Sequence, residues 1–182
     1  MEQGLEKLTD VMAQFLGHTA IRLPDDVREK LEELRDKEDT PLAKVIYRTM
    51  FRNQMLAEEL QRPSCQDTGV PQFWVRCGTQ FPYIDDMEQM LRKAVIQATF
   101  NTPLRHNSVE TFDEYNTGKN VGKGTPTIWW DIVPHSSDCE IYTYLSGGGC
   151  SLPGCATVLM PGEGYEGIVK FVMDRMTSYG LN

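Results

Sequence analysis

Cys65-Gln66-Asp67-Thr68-Gly69 sets a thiol, an amide, a carboxylate and a hydroxyl side by side, next to a glycine. One turn of chain thus offers a soft metal ligand, a proton-handling carboxylate and two hydrogen-bonding groups. Turns of this composition also arise by chance, so composition alone does not make it a site. A second polar cluster, Pro103-Leu104-Arg105-His106-Asn107, contains a guanidinium whose rigid fork suits bidentate recognition of a carboxylate. The bland reading of Arg105 is a surface ion pair, and that of His106 a hydrogen-bonded structural histidine.

Gly147-Gly148-Gly149-Cys150 is the third cluster. Three successive glycines cost backbone entropy and pack nothing, which points to an unusual chain path or close approach to a ligand, with amides open to an anion. A mobile surface loop is the competing reading. The loop from Asn116 to Gly124 is rich in Gly and Lys but lacks the GxxxxGK[ST] spacing, so a nucleotide-phosphate loop is rejected.

The elements that must carry these clusters follow from periodicity. Leu5, Leu8, Val11, Met12 and Phe15 share one helical stripe, and Gly17-His18 is expected to end that helix. Pro24 opens a second amphipathic helix through Val27, Leu31 and Leu34, with Asp25 and Asp26 in its first turn. Thr40-Pro41 reads as an N-cap followed by Pro at N1, and the helix it opens runs to about Glu59. Its Met50, Phe51 and Met55 read as core or inter-subunit packing. Pro63 stops that helix and delivers the chain into the Cys65 turn.

Beyond the turn, Phe73–Val75 reads as a strand, Met87 to Phe100 as a helix and Thr127 to Val133 as a buried aromatic strand. Glu140 to Leu145 is expected to pair with the latter as a hairpin, and Ala156 to Met160 to form another strand. Pro161 to Gly164 turns the chain into a closing helix that uses Ile168, Val169, Phe171, Val172 and Met176. Helices first, then a strand cluster without regular βαβ alternation, indicate an α+β fold: N-terminal helices packed against a small mixed or antiparallel sheet. We expect one domain over 1–182, helical over 1–62 and strand-rich over 63–182.

Composition limits what such a domain does. At 182 residues with a formal net charge of −8, duplex nucleic acid is disfavoured as a partner. No signal-peptide-like run or stretch of transmembrane length is present, so no membrane partner is expected and a cytoplasmic location is. Five cysteines, an odd number, exclude a fully paired disulfide framework within one chain. Most read as small buried hydrophobes, with Cys65 and Cys150 the exceptions.

Taken in order, the Cys65–Gly69 turn, Pro103–Asn107, Asn116-Thr117-Gly118, Gly147–Cys150 and Pro161–Gly167 resemble the iron–sulfur hydro-lyases of the class I fumarase and L(+)-tartrate dehydratase group. The likeness is greatest to the alpha chains of its two-subunit members. It rests on Arg62 to Gly69, on Phe112-Asp113-Glu114 with Asn116 to Asn120, and on Gly147 to Gly154, and it covers nearly the whole sequence. The resemblance implies a domain like the class I fumarase N-terminal domain and a [4Fe–4S] cluster held by three cysteines, with one iron left open to act as a Lewis acid. It also implies roles: Cys65 as a cluster ligand, Asp67 as the catalytic proton-handling group, and Gln66, Arg105, Gly147, Gly148 and Gly149 as substrate-binding groups. The reaction would be loss of water from a 2-hydroxy dicarboxylate, tartrate to oxaloacetate or malate to fumarate.

The family's other two cluster cysteines, a pocket histidine and a catalytic-base threonine have no counterpart in this sequence. The chain is therefore expected to be truncated relative to the family alpha subunit. Activity would need the missing C-terminal part or a split-gene partner, a beta subunit and an oligomeric assembly, and the chain alone is expected to be inactive. The alternative is a cluster-free paralogue that serves as a dicarboxylate-binding, assembly or regulatory subunit.

Overall fold

In the computed structural model, residues 2–110, 112–148 and 154–180 are described; Gly149 and Cys150, both singled out above, lie outside them. The chain divides into two compact units, Met1–Gly148 and Gly149–Asn182. The fold is α+β, as the element order predicts.

The first unit is built on helix α1 (Glu2–Ile21), helices α2 (Asp25–Lys37) and α3 (Pro41–Leu60), strand β1 (Val70–Gly78), helix α4 (Met87–Asn101) and strands β2 (Thr127–Val133) and β3 (Cys139–Ser146). Helix α1 does not stop at Gly17. Its apolar stripe continues through Gly17, Ala20 and Ile21, all buried, so packing carries the helix another turn. Pro41 occupies the first turn of α3, though Thr40 makes no side-chain capping bond.

Three strands form one mixed sheet in the order β2-β1-β3. β1 is central, parallel to β2 and antiparallel to β3, with Trp74 opposite Trp129 on one side and Tyr142 on the other. The expected β2–β3 hairpin does not exist, because β1 lies between them. A helix-containing crossover brings β2 alongside β1 in parallel, as parallel pairing requires.

Alternation along β1 sorts the side chains. Phe73, Val75 and Cys77 point into a core completed by Met12, Ala13 and Leu16 of α1 and by Met90, Leu91, Ala94, Val95 and Ala98 of α4. At roughly 1.5–3 kcal/mol for each large apolar side chain fully buried, this two-helix layer on one sheet face is what fixes β1. The opposite face is open: Trp74 and Trp129 stack at 6.4 Å there, beside exposed Tyr142 and Tyr144. Arg76 on that face reaches Asp131 at 3.4 Å and Glu140 at 3.8 Å.

Helices α2 and α3 contribute little to this core. No residue of α2 is buried, and only Ala57 of α3 is. Of the two readings of Met50 and Met55, core packing is not found within the described residues, since they are 43% and 71% exposed, which leaves the inter-subunit one. They instead line a groove of about 590 Å³ with Leu23, Leu31, Phe51 and Cys65. Phe51 lies beneath the Arg35 guanidinium, 4.8 Å from its ring centre.

In the second unit a 3₁₀ turn, Pro161–Glu163, opens helix α5 (Gly164–Gly180). The Glu163 carboxylate accepts from the Met160 backbone N–H at 2.7 Å, reversing the chain at the helix entry. Ala156 to Met160, read above as a strand, forms no ladder. Without a neighbouring strand its β-branched and apolar residues have nothing to pair with.

Candidate functional site

The Cys65 turn sits between the end of α3 and the start of β1, so both elements aim it. Helix α3 ends at Gln61 in a left-handed conformation, φ 51, and Asn53 of α3 donates to the Ser64 carbonyl to tie the turn back to the helix. From there β1 draws residues 67–69 against the end of β3. Gly69 has φ +69, and a Cβ there would collide with the Leu145–Ser146 backbone, so glycine lets the turn lie flat on β3.

The turn has two faces. Cys65, Gln66 and Thr68 line a cleft of about 320 Å³ together with Asn53, Arg62, Pro63, Ser64, Pro103 and Arg105. Cys65, Gln66 and Arg105 are all exposed. Among the described residues Arg105 makes no ion pair, so no described carboxylate holds its guanidinium. What fixes Arg105 is its backbone: its N–H donates to Thr68 Oγ1 at 3.0 Å, and its carbonyl accepts from Asn120 Nδ2 at 3.0 Å. Thr68 thus joins the turn directly to the arginine's loop.

Asp67 is not among the residues lining that cleft. Its Oδ1 accepts from Asn107 Nδ2 at 2.9 Å and from the Gly69 N–H at 3.3 Å, and it lies against Gly148. Gly148 has φ +68, and a Cβ on it would overlap the Asp67 carboxylate. The glycine run therefore comes up against the turn through Gly148. Gly147 is adjacent, with φ +109, while Gly149 and Cys150 lie outside the described residues.

Behind both faces stands Asn120, fully buried in a left-handed conformation, φ 55. Its side-chain oxygen accepts from the Asn107 N–H at 2.9 Å, and its amide donates to Thr99 Oγ1 at 3.2 Å as well as to the Arg105 carbonyl. One buried amide thereby joins α4, the Arg105–Asn107 loop and the 116–120 loop, its polar atoms satisfied as burial demands. Asn116 supports the same loop by donating to the His106 carbonyl at 2.7 Å. His106 itself is exposed, and Lys119 and Lys123 are solvated.

Sequence reasoning assigned no role to Asn107, Asn120, Asn53 or Arg62. Their one visible signal was position inside or beside the polar clusters, since hydrogen-bonding partners depend on tertiary placement. Arg62 matters most, because it is a second arginine lining the cleft that Arg105 lines.

The described residues do not by themselves fit a three-cysteine cluster. Among the described residues Cys65 is the one thiol lining the cleft, and no group of three or more His, Cys, Asp or Glu side chains there could hold a metal ion. No helix among them is long and apolar enough to cross a membrane.

A family model described as fumarate hydratase (Fumerase) matches residues 9–182. Curated relatives include the L(+)-tartrate dehydratase subunit alpha of Escherichia coli O157:H7, 50% identical over 181 residues that span 100% of this chain and 60% of the relative. The protein of the same name in Escherichia coli (strain K12) is 49% identical over 181 residues, again 100% of this chain and 60% of the relative. A more distant relative in Methanocaldococcus jannaschii is 32% identical over 177 residues, 96% of this chain and 62% of its own length. The chain thus spans about three-fifths of the length of these relatives.

Proposed function

The chain belongs to the fumarate hydratase (Fumerase) family, and we propose that it supplies part of the active site of a hydro-lyase acting on a 2-hydroxy dicarboxylate. The substrate would be L(+)-tartrate, giving oxaloacetate, or the malate–fumarate pair. The carrying observation is the cleft in which Arg62, Arg105 and Gln66 meet Cys65. A dicarboxylate needs two anion-binding groups, and two arginines with a glutamine lining one cleft carry side chains of that chemistry.

In this reading Arg105 clamps one carboxylate, its backbone held by Thr68 and Asn120, and Gln66 donates its amide to the substrate. Asp67 lies off this cleft and accepts from the Asn107 amide; its assignment as the proton-handling group in loss of water rests on the family resemblance rather than on its position. Gly147, Gly148 and Gly149 are assigned to substrate binding on the family resemblance, Gly149 lying outside the described residues. Cys65 contributes one thiolate to a [4Fe–4S] cluster, and the cluster's other ligands come from polypeptide beyond the described residues. That polypeptide would correspond to the remaining two-fifths of the relatives together with a beta subunit. We treat residues 1–182 as one functional module despite its two compact units.

The experiment is to express this chain with the polypeptide that completes it, reconstitute iron and sulfide anaerobically, and assay tartrate and malate dehydration. Cys65→Ser should abolish both the iron–sulfur absorption and turnover. Arg105→Ala should lower kcat/KM by about 100-fold while leaving the absorption intact, as expected for loss of a charge-assisted clamp. Turnover indifferent to both substitutions would remove the proposal. Dicarboxylate binding that depends on Arg105, with no turnover in any assembly, would instead favour a cluster-free binding subunit.

A further inference from the structure

Cys77 and Cys139 face one another at the far end of the β1–β3 ladder. In the antiparallel register they are direct partners, and the neighbouring pair fixes which kind. The Gly78 N–H donates to the Asp138 carbonyl at 2.8 Å, which makes 78 and 138 a hydrogen-bonded pair. Pair types alternate along an antiparallel ladder, so Cys77 and Cys139 occupy a non-hydrogen-bonded position, where the Cα atoms approach to about 4.5 Å. Disulfides span Cα separations of about 4.4–6.8 Å, so no backbone movement is needed to join these two.

Both side chains are on the inner face of the sheet. Cys77 is fully buried, and Cys139 is half-buried against the core. The sulfurs are near enough that the Cys77 thiol is among the causes that hold the Cys139 thiol in its neutral form. By contrast Cys65 and Cys155 are exposed, and neither has a cysteine opposite it in a strand.

We propose that Cys77 and Cys139 form a cross-strand dithiol–disulfide site that exchanges with low-molecular-weight disulfides of the glutathione type. Cys139, half-buried, is the less buried of the two residues, Cys77 being fully buried. Burial and Cys77 disfavour the Cys139 thiolate, so exchange is slow at neutral pH and quickens as pH rises. The Cys139 sulfur loses its proton and attacks one sulfur of the small disulfide, forming a mixed disulfide and releasing the first small thiol. The Cys77 sulfur then displaces the second small thiol, leaving the Cys77–Cys139 bond. Two protein thiols are oxidised, one small disulfide is reduced to two thiols, and the two protons leave with those thiols.

The position gives the bond a consequence. The same two strands carry the Cys65 turn and Gly147–Gly148 at their other end, where Val70 pairs with Ser146. A covalent link at residues 77 and 139 locks the register of the ladder that sets Gly148 against Asp67.

The test equilibrates the full chain anaerobically with mixtures of reduced and oxidised glutathione. Samples are blocked with iodoacetamide and mapped by mass spectrometry after digestion in acid. The expected result is a peptide pair linked through Cys77 and Cys139, whose yield rises with the proportion of oxidised glutathione. Cys77→Ala and Cys139→Ala should each remove it, and the wild-type map stands alone if either variant folds poorly. The proposal is overturned if both residues stay free while Cys65 and Cys155 carry glutathione, or if the link forms only in denaturant. It does not depend on the hydro-lyase reading, and either can fail without the other.

Discussion

Asn107 donates its side-chain amide to Asp67 Oδ1 at 2.9 Å, and the same amide nitrogen reaches the Gly69 carbonyl at 3.1 Å. A single side chain from the Arg105 loop therefore holds both the carboxylate and the backbone of the Cys65 turn. The two segments are 40 residues apart in the chain, and their relative position depends on this contact together with the Arg105–Thr68 bond.

Asn107→Ala removes both of these bonds from a part-buried location. We predict a loss of about 1–3 kcal/mol in the free energy of unfolding, the usual cost of stripping a partner from buried polar groups. Urea denaturation measures it. An unchanged midpoint would mean that the amide does not hold the turn.

Gly148→Ala places a methyl group where the Asp67 carboxylate lies, at a backbone φ of +68 that side chains rarely adopt. The predicted destabilisation is about 1–2 kcal/mol from backbone strain, with a further cost from displacing Asp67. A double-mutant cycle separates the two. In an Asp67→Ala background the substitution should cost less, whereas equal costs in both backgrounds would show that glycine and carboxylate do not meet.

The Cys139 thiol gives a prediction about alkaline stability. Burial first, then the facing Cys77 and the charge of Glu140, push this thiol from its ordinary 9.0 up to about 12. The folded state favours the protonated thiol, so there is no penalty below about pH 9, where the unfolded chain is protonated too. As pH rises from 9 towards 12 the unfolded thiol ionises and the folded one does not, so stability falls. Cys139→Ala should flatten the fall over that range, followed by urea midpoints at several pH values. Parallel curves for the two proteins would refute it.

The helices were the most legible part of the sequence, because their apolar stripes and the prolines at 24 and 41 act locally. The polar turn at Cys65 was equally readable, lying between a helix stop at Pro63 and an alternating strand. Sheet order was not. Chain neighbours usually pair, and that expectation joined β2 to β3, but the strand that separates them was made far earlier in the sequence. Register was hidden for the same reason. Cys77 and Cys139 looked like two unrelated small hydrophobes until strand pairing set them opposite each other.

Within the site, residue types with intrinsic reactivity stood out and their supports did not. Cys65, Asp67 and Arg105 announce themselves by what they can do chemically. Asn120 is an unreactive amide whose importance comes from complete burial and from the three segments it bonds, which only tertiary structure reveals. The division between Asp67 and the cleft that holds Cys65 was equally invisible, since adjacent residues in a turn can face opposite ways.

The central place of β1 also bears on how the chain is made. Translation delivers this strand well before either neighbour; Gln72, for example, bonds to Ser146, which emerges 74 residues later. Until β2 is made a newly synthesised β1 has both hydrogen-bonding edges bare, and until β3 is made it keeps one, the condition in which strands mispair with other nascent chains. The Cys65 turn can take its final shape only after Ser146 has left the ribosome, so chaperone capture in that interval would decide how much correctly assembled protein a cell obtains.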